Sequence, residues 1–163
     1  MFTTDSNYQI QQYTSQYFAS QLITQEWVQP GNGAHQVFPA ASDVLDPAGH
    51  VLVTAYALHR PDGQWALMIV NKDQENSHAV RINFGDGAAG SDNAFSGTVD
   101  VITFGSEQYQ WHPTTTGGSA NPDGPAAHSR MMAAANTTFT LPKASITVLR
   151  GKIGPAGVTA KSR

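Results

Sequence analysis

The sequence contains no cysteine, so it holds no disulfide framework, and the redox character of its compartment stays open. Charge is sparse at 13% of residues, with nine Lys and Arg against twelve Asp and Glu and a formal net charge of −3. A chain this poor in cations lacks the basic stripe that nucleic-acid binding requires. No stretch reaches the roughly 20 consecutive apolar residues of a membrane-spanning helix. The opening MFTTDSNYQI has neither the basic nor the apolar region of a signal peptide. These residues therefore imply no nucleic-acid and no membrane partner. Localisation is left open, and a secreted or periplasmic parent remains compatible. There is no GxSxG motif and no Cys–His pair, so nucleophilic acyl transfer has no support. The six histidines show neither i, i+4 helical pairing nor tight zinc spacing, and nothing calls for a cofactor or a metal. No internal repeat is visible.

What is present points to β structure. A length of 163 residues fits about one domain, and 15 Gly and 9 Pro with many Thr, Ser and Asn fit a loop-rich β fold. The organising stretch is His50 to Asn71, reading HVLVTAYALH, RPDG and QWALMIVN. Pro61 presets φ for a turn, Asp62 bonds its own backbone and Gly63 accepts positive φ, so the two apolar runs form a β-hairpin. Both sides of both runs are apolar. A sheet with one wet face would alternate apolar and polar. The hairpin is therefore expected to be covered twice, once by a second sheet and once by a helix or another domain.

Asp5 or Ser6 can cap a helix reaching Trp27, which Pro30 and Gly31 then stop. Its apolar residues, Tyr8, Ile10, Tyr13, Tyr17, Phe18, Leu22, Ile23 and Trp27, fall nearly all round the axis. A surface helix would show one apolar stripe. The expectation is a helix that packs on the sandwich with one face and on a second copy, as a two-fold dimer, with the other. Further strands are predicted near 36–38, 78–84, 95–104, 107–111, 137–141 and 145–150. GDGAAGSDN reads as a flexible loop. Residues 112–136 read as a long irregular stretch, weakly ordered from Thr114 to Ala127 and docked again from Met131. The tail from Lys152 reads as frayed. The fold class is all-β, an antiparallel β-sandwich of seven or eight strands with one N-terminal α-helix. Its parts are the helix in 1–30, the sandwich in 31–152 and the tail in 153–163.

Three carboxylate pairs lie close in sequence: Asp43 with Asp46, Asp73 with Glu75, and Asp86 with Asp92. All sit in turns or loops, where Asp bonds local backbone, and turn chemistry is the favoured reading. Glu26, Asp100 and Glu107 lie outside turns with no carboxylate partner on a shared face. Asp100 is expected to face solvent, away from Val99 and Val101. His112, Asp123 and His128 are the one weak candidate for a metal. Aromatic residues carry the better signal. Tyr109 and Trp111 are two apart and share a strand face, beside His112, Asn121 and Asp123. A two-ring platform for the apolar faces of sugars, with amide and carboxylate for hydroxyls, is one reading. Packing of both rings against the sheet edge is the other. Trp65 is assigned to the core.

NYQIQQYTSQYFASQLITQEW resembles the last helix of a (β/α)8 glycoside hydrolase barrel. VTAYALHRPDGQWALMIVNKDQ and TFTLPKASITVLRGK resemble the C-terminal β-sandwich that follows such barrels in the large retaining clan, of the β-xylosidase and arabinofuranosidase type. The matching details are the strand end Val70-Asn71-Lys72 and the closing pattern from Leu141 to Leu149. The resemblance implies a non-catalytic accessory domain whose partner is a catalytic barrel. The barrel's catalytic carboxylates would precede Met1, so no catalytic residue is assigned to this chain. Two alternatives stand beside it. One is a carbohydrate-binding module using Tyr109 and Trp111. The other is a small stand-alone hydrolase or metal-dependent enzyme with a site in 112–136.

Overall fold

A computed structural model describes residues 1–85 and 93–156 of the chain. In chain order the strands are β1 (Phe2–Thr4), β2 (Ile10–Tyr13), β3 (Gln36–Phe38), β4 (Val53–His59), β5 (Trp65–Asn71), β6 (His78–Arg81), β7 (Asn93–Phe104), β8 (Tyr109–Thr114), β9 (Gly117–Asp123), β10 (Ala127–Ala133), β11 (Thr138–Leu141) and β12 (Ser145–Pro155). Helix α1 spans Ser15–Gln21 and continues as a π-helical segment over Leu22–Trp27. One six-stranded antiparallel sheet, ordered β10-β7-β12-β5-β4-β3, forms the body, and β1–β2, β6–β11 and β8–β9 pair separately.

The central hairpin is β4–β5, as its turn chemistry dictates. Gly63, at φ +76°, donates its N–H to the Arg60 carbonyl at 3.0 Å, and Asp62 Oδ1 accepts from Gln64 N at 3.0 Å. Its two apolar faces enter different cores. On one side Leu67, Ile69, Val99 and Leu149 pack with Phe139, Leu141 and Val80 of the β6–β11 pair. On the other, Ile102, Phe104, Val148 and Met68 pack with Phe18 and Leu22 of the helical segment. A second sheet layer and a helix thus cover the hairpin, as expected from its two apolar faces, and the fold is the expected all-β sandwich with one helix.

The helix is shorter than the sequence reading. Asp5 caps a turn, not a helix: its Oδ1 accepts from Asn7 N at 2.8 Å and Gln9 N at 2.9 Å, closing the β1–β2 hairpin. The short polar side chains of Asp5-Ser6-Asn7 favour local backbone bonding, which competes with a helical first turn. Tyr8, Ile10 and Tyr13 therefore lie outside the helix, and the apolar ring around it largely disappears. Residues 112–136 are not an irregular loop either. They are built into β8, β9 and β10, and β10 pairs with β7 from Ala127↔Thr103 to Ala133↔Gly97. Their low apolar content hid them because β8 to β10 lie at the margin of the fold, with mostly exposed side chains. The strands number twelve among the described residues. Strand β12 runs on to Pro155, so Lys152 is not the start of a frayed end, and 157–163 lie outside the described residues. So does most of the predicted GDGAAGSDN loop, with the Asp86 and Asp92 pair. Trp65 is half-buried, ringed by Phe38, His59 and Phe84 at centroid distances of 4.7, 5.4 and 5.1 Å.

Candidate functional site

The helical segment is anchored to the sheet by charge. Asp100 stands mid-strand on β7, directly across from Arg130 of β10 and Arg150 of β12. Arg130 Nε donates to Asp100 Oδ1 at 2.7 Å, and Arg150 Nη2 to Asp100 Oδ2 at 3.1 Å. Arg150 also reaches the helix, with Nη1 2.8 Å from Glu26 Oε2. Arg60, 5% exposed, donates to the Glu26 carbonyl at 2.6 Å, and Trp27 Nε1 donates to the Tyr56 carbonyl at 3.1 Å. Asp100 therefore points away from Val99 and Val101 but is half-buried, its side chain 22% exposed, and Glu26 and Asp100 share Arg150. Strand register put these partners together, at separations of 50 and 124 residues. Burial pushes the Asp100 carboxyl up, but hydrogen bonds and charge from Arg130 and Arg150 outweigh it and hold it below the ordinary range.

The other carboxylates serve their own turns. Asp46 accepts from Ala48 N and His50 N at 2.8 Å and pairs with His50 Nδ1, the hydrogen bond that does most to lower its pKa. Asp73 Oδ1 accepts from Glu75 N at 2.8 Å and Asn76 N at 2.9 Å, which bring its pKa down to about 2. Among the described residues, no group of three His, Asp or Glu is placed to hold a metal. His112 Nε2 instead lies 2.9 Å from the Asn121 carbonyl, and His128 lines a cavity of about 60 Å³ with Glu26 and Phe18.

The β8–β9 hairpin carries the aromatic candidates. Tyr109 is opposite Asp123 and Trp111 opposite Ala120, with a register shift between them. Tyr109 turns inward, its ring 6.1 Å from Phe18 and 6.0 Å from Phe104. Trp111 stays 43% exposed. Its indole lies against Gly118, where an added Cβ would come within 2.6 Å of Trp111 Cζ2, so only glycine admits the ring. Asn121 and Asp123 are exposed on the same hairpin. A residue the sequence reading passed over organises this site. Gln12 of β2 donates from Nε2 to the Ala120 carbonyl and accepts from Ala120 N, both at 2.8 Å, and its Nε2 lies 3.4 Å from Asp123 Oδ2. Its amide takes the place of a neighbouring strand. No local signal marks a glutamine for that, since its partner lies 108 residues away.

Beside Tyr109 an open groove of about 570 Å³ runs between the start of α1 and the sheet, floored by Val70, Phe104 and Ile146 and edged by Gln16, Lys72 and Ser106.

No family model and no curated protein matches the chain. Solved structures with a similar fold include the family 51 α-L-arabinofuranosidase of Thermotoga petrophila, at 14% identity and TM-score 0.44, covering 64% of this chain and 20% of that one. The family 30 endoxylanase of Clostridium papyrosolvens is 17% identical at TM-score 0.45, covering 78% and 25%. A Paenibacillus polymyxa xyloglucanase of glycoside hydrolase family 44 is 14% identical at TM-score 0.38, covering 61% and 16%. The chain spans a quarter or less of each of these glycoside hydrolases, and the likeness is one of fold alone.

Proposed function

We propose that this chain is a non-catalytic accessory β-sandwich domain of a glycoside hydrolase, with a catalytic barrel as its partner. The observation that carries the reading is what its carboxylates do. Glycoside hydrolysis takes two carboxyl groups roughly 5 to 10 Å apart, one of them an acid with a raised pKa. Here Asp46 and Asp73 bond turn backbone, Asp100 and Glu26 bond Arg150, and the carboxyl shifts at Asp46, Asp73 and Asp100 all run downward. The resemblance of the helical 15–27 part of the 7–27 stretch and of the β4–β5 and β11–β12 sequences supports the parent class. The purified chain is expected to hydrolyse neither aryl glycosides nor polysaccharides above background. Turnover that survives repurification and disappears in Glu107→Ala or Asp123→Ala would overturn the reading.

A second reading rests on a separate observation, the Trp111 indole laid against Gly118 with its ring still 43% exposed. In that reading the β8–β9 hairpin binds a sugar ring on Trp111 alone, with His112, Asn121 and Asp123 at its edge, while Tyr109 is turned into the core against Phe18 and Phe104. Titration with neutral oligosaccharides, read by tryptophan fluorescence, is expected to saturate in the parent chain and vanish in Trp111→Ala. An unchanged response in that variant would remove the reading without touching the first.

A further inference from the structure

The amino-terminal hairpin is inside out. Its cross-strand pairs are Phe2↔Tyr13, Thr3↔Gln12 and Thr4↔Ile10. The side turned to the body is polar, with Thr3 and Gln12 half-buried and the Gln12 amide bonded to Ala120. Every large apolar side chain before Thr14 is exposed: Met1 63%, Phe2 53%, Tyr8 87%, Ile10 51% and Tyr13 39%. A sheet with one wet face buries its apolar side, and this one does the reverse. The apolar side chains of the strip carry no charge, and the formal charges beside them are the Met1 α-ammonium and the Asp5 carboxylate. The only ionisable side chain between Met1 and Tyr8 is Asp5, whose carboxylate is engaged by Asn7 and Gln9. Tyr13 stacks on Tyr17 at 4.1 Å, which joins the strip to the helix.

We propose that this strip is a two-fold interface with a second copy of the chain. Side chains of this size present roughly 150–250 Å² each when aromatic, so the five expose about 500–600 Å². That is near the upper end of what a monomer leaves in one patch. Two copies face to face remove about 1,000–1,200 Å², just above the area a specific interface needs. Tyr, Phe and Met are the residues that interface cores favour, and the two formal charges at the strip, the Met1 ammonium and the Asp5 carboxylate, are of opposite sign and leave no net charge to repel a second copy. The helix is the poorer candidate for the same contact, because Gln16, Thr24 and Gln25 are exposed on it and Ile23 is its one exposed large apolar side chain. The interface does not depend on the accessory-domain reading.

Sedimentation equilibrium of the full chain is expected to show a monomer–dimer exchange in the micromolar range. The triple variant Phe2→Ser, Tyr8→Ser, Ile10→Ser is expected to be monomeric with an unchanged melting curve. Because the chain lacks cysteine, a single introduced thiol gives a test that leaves the apolar strip intact. Thr4→Cys, opposite Ile10, is expected to cross-link to dimer under mild oxidation, and Lys143→Cys, exposed elsewhere, is not. A strictly monomeric parent chain overturns the proposal, as does equal cross-linking of both variants. A monomer that instead co-sediments with phosphatidylcholine vesicles would assign the strip to lipid and overturn it too.

Discussion

Truncating Phe18 tests the second core directly. Its side chain is 7% exposed and lies within 6.3 Å, centroid to centroid, of Tyr13, Tyr17, Phe104 and Tyr109. On the remaining side stands Gly124, where an added Cβ would lie 2.4 Å from Phe18 Cζ. Gly124 has no side chain to fill the space, and Phe104 is held in β7. Phe18→Ala should therefore sit in the usual range for a buried aromatic, about 3–5 kcal/mol. For a chain of this size that lowers the melting temperature by roughly 10–15 °C. The assay is urea unfolding of the variant beside Phe139→Ala, which removes a 3% exposed ring from the other core. Both should lose similar stability. Only Phe18→Ala should speed amide exchange along α1, since Phe18 and Leu22 are the helical segment's two buried anchors. Gly124→Ala, at φ +86°, should cost about 1–3 kcal/mol by overpacking the same ring. The two changes together should cost less than their sum, because the alanine at 18 makes room for the new methyl. A Phe18→Ala loss below about 1 kcal/mol would refute the idea that this ring holds the helix to the sheet.

Asn71, 2% exposed, donates from Nδ2 to the Pro142 carbonyl at 2.8 Å and the Asn76 carbonyl at 3.1 Å, and its Oδ1 accepts from Asp73 N. Asn71→Leu should cost about 2–3 kcal/mol through unpaired buried groups, and a neutral result in denaturant would contradict that role. Glu26→Gln and Arg150→Met, in a double-mutant cycle, should couple by about 1–2 kcal/mol, between exposed and fully buried pairs. Coupling indistinguishable from zero at low salt would show the pair does not anchor the helix. Asp73 titrates at about 2 when folded against 3.8 unfolded, so its contribution is complete above pH 3.8 and fades as pH falls towards 2. The stability difference between the parent chain and Asp73→Asn should follow that course. A difference that persists below pH 2 would refute it.

Local chemistry was enough for the centre of this fold. Pro61-Asp62-Gly63 between two runs apolar on both sides dictates a doubly covered hairpin, because backbone preferences of three residues and a period of two need no distant partner. Asn71 was visible as a strand end, and β3 was read to the residue. The amino terminus was misread because apolar spacing over 8–27 fits a helix as well as it fits a hairpin followed by one. The decision came from Asp5 closing a turn and from Gln12 docking on Ala120. Strand β8 was read only in its first residues, and β9 and β10 were missed, because strands with mostly exposed side chains leave no apolar alternation to read. Asp100 shows the limit most clearly. Its facing was right from strand parity, but its environment depended on Arg130 and Arg150 arriving opposite it, which only the register of β10, β7 and β12 decides. For the candidate site, sequence spacing placed Tyr109 and Trp111 near each other. The turn of one ring into the core and the exposure of the other were settled by Phe18, Phe104 and Gly118, none of them adjacent to either ring in sequence.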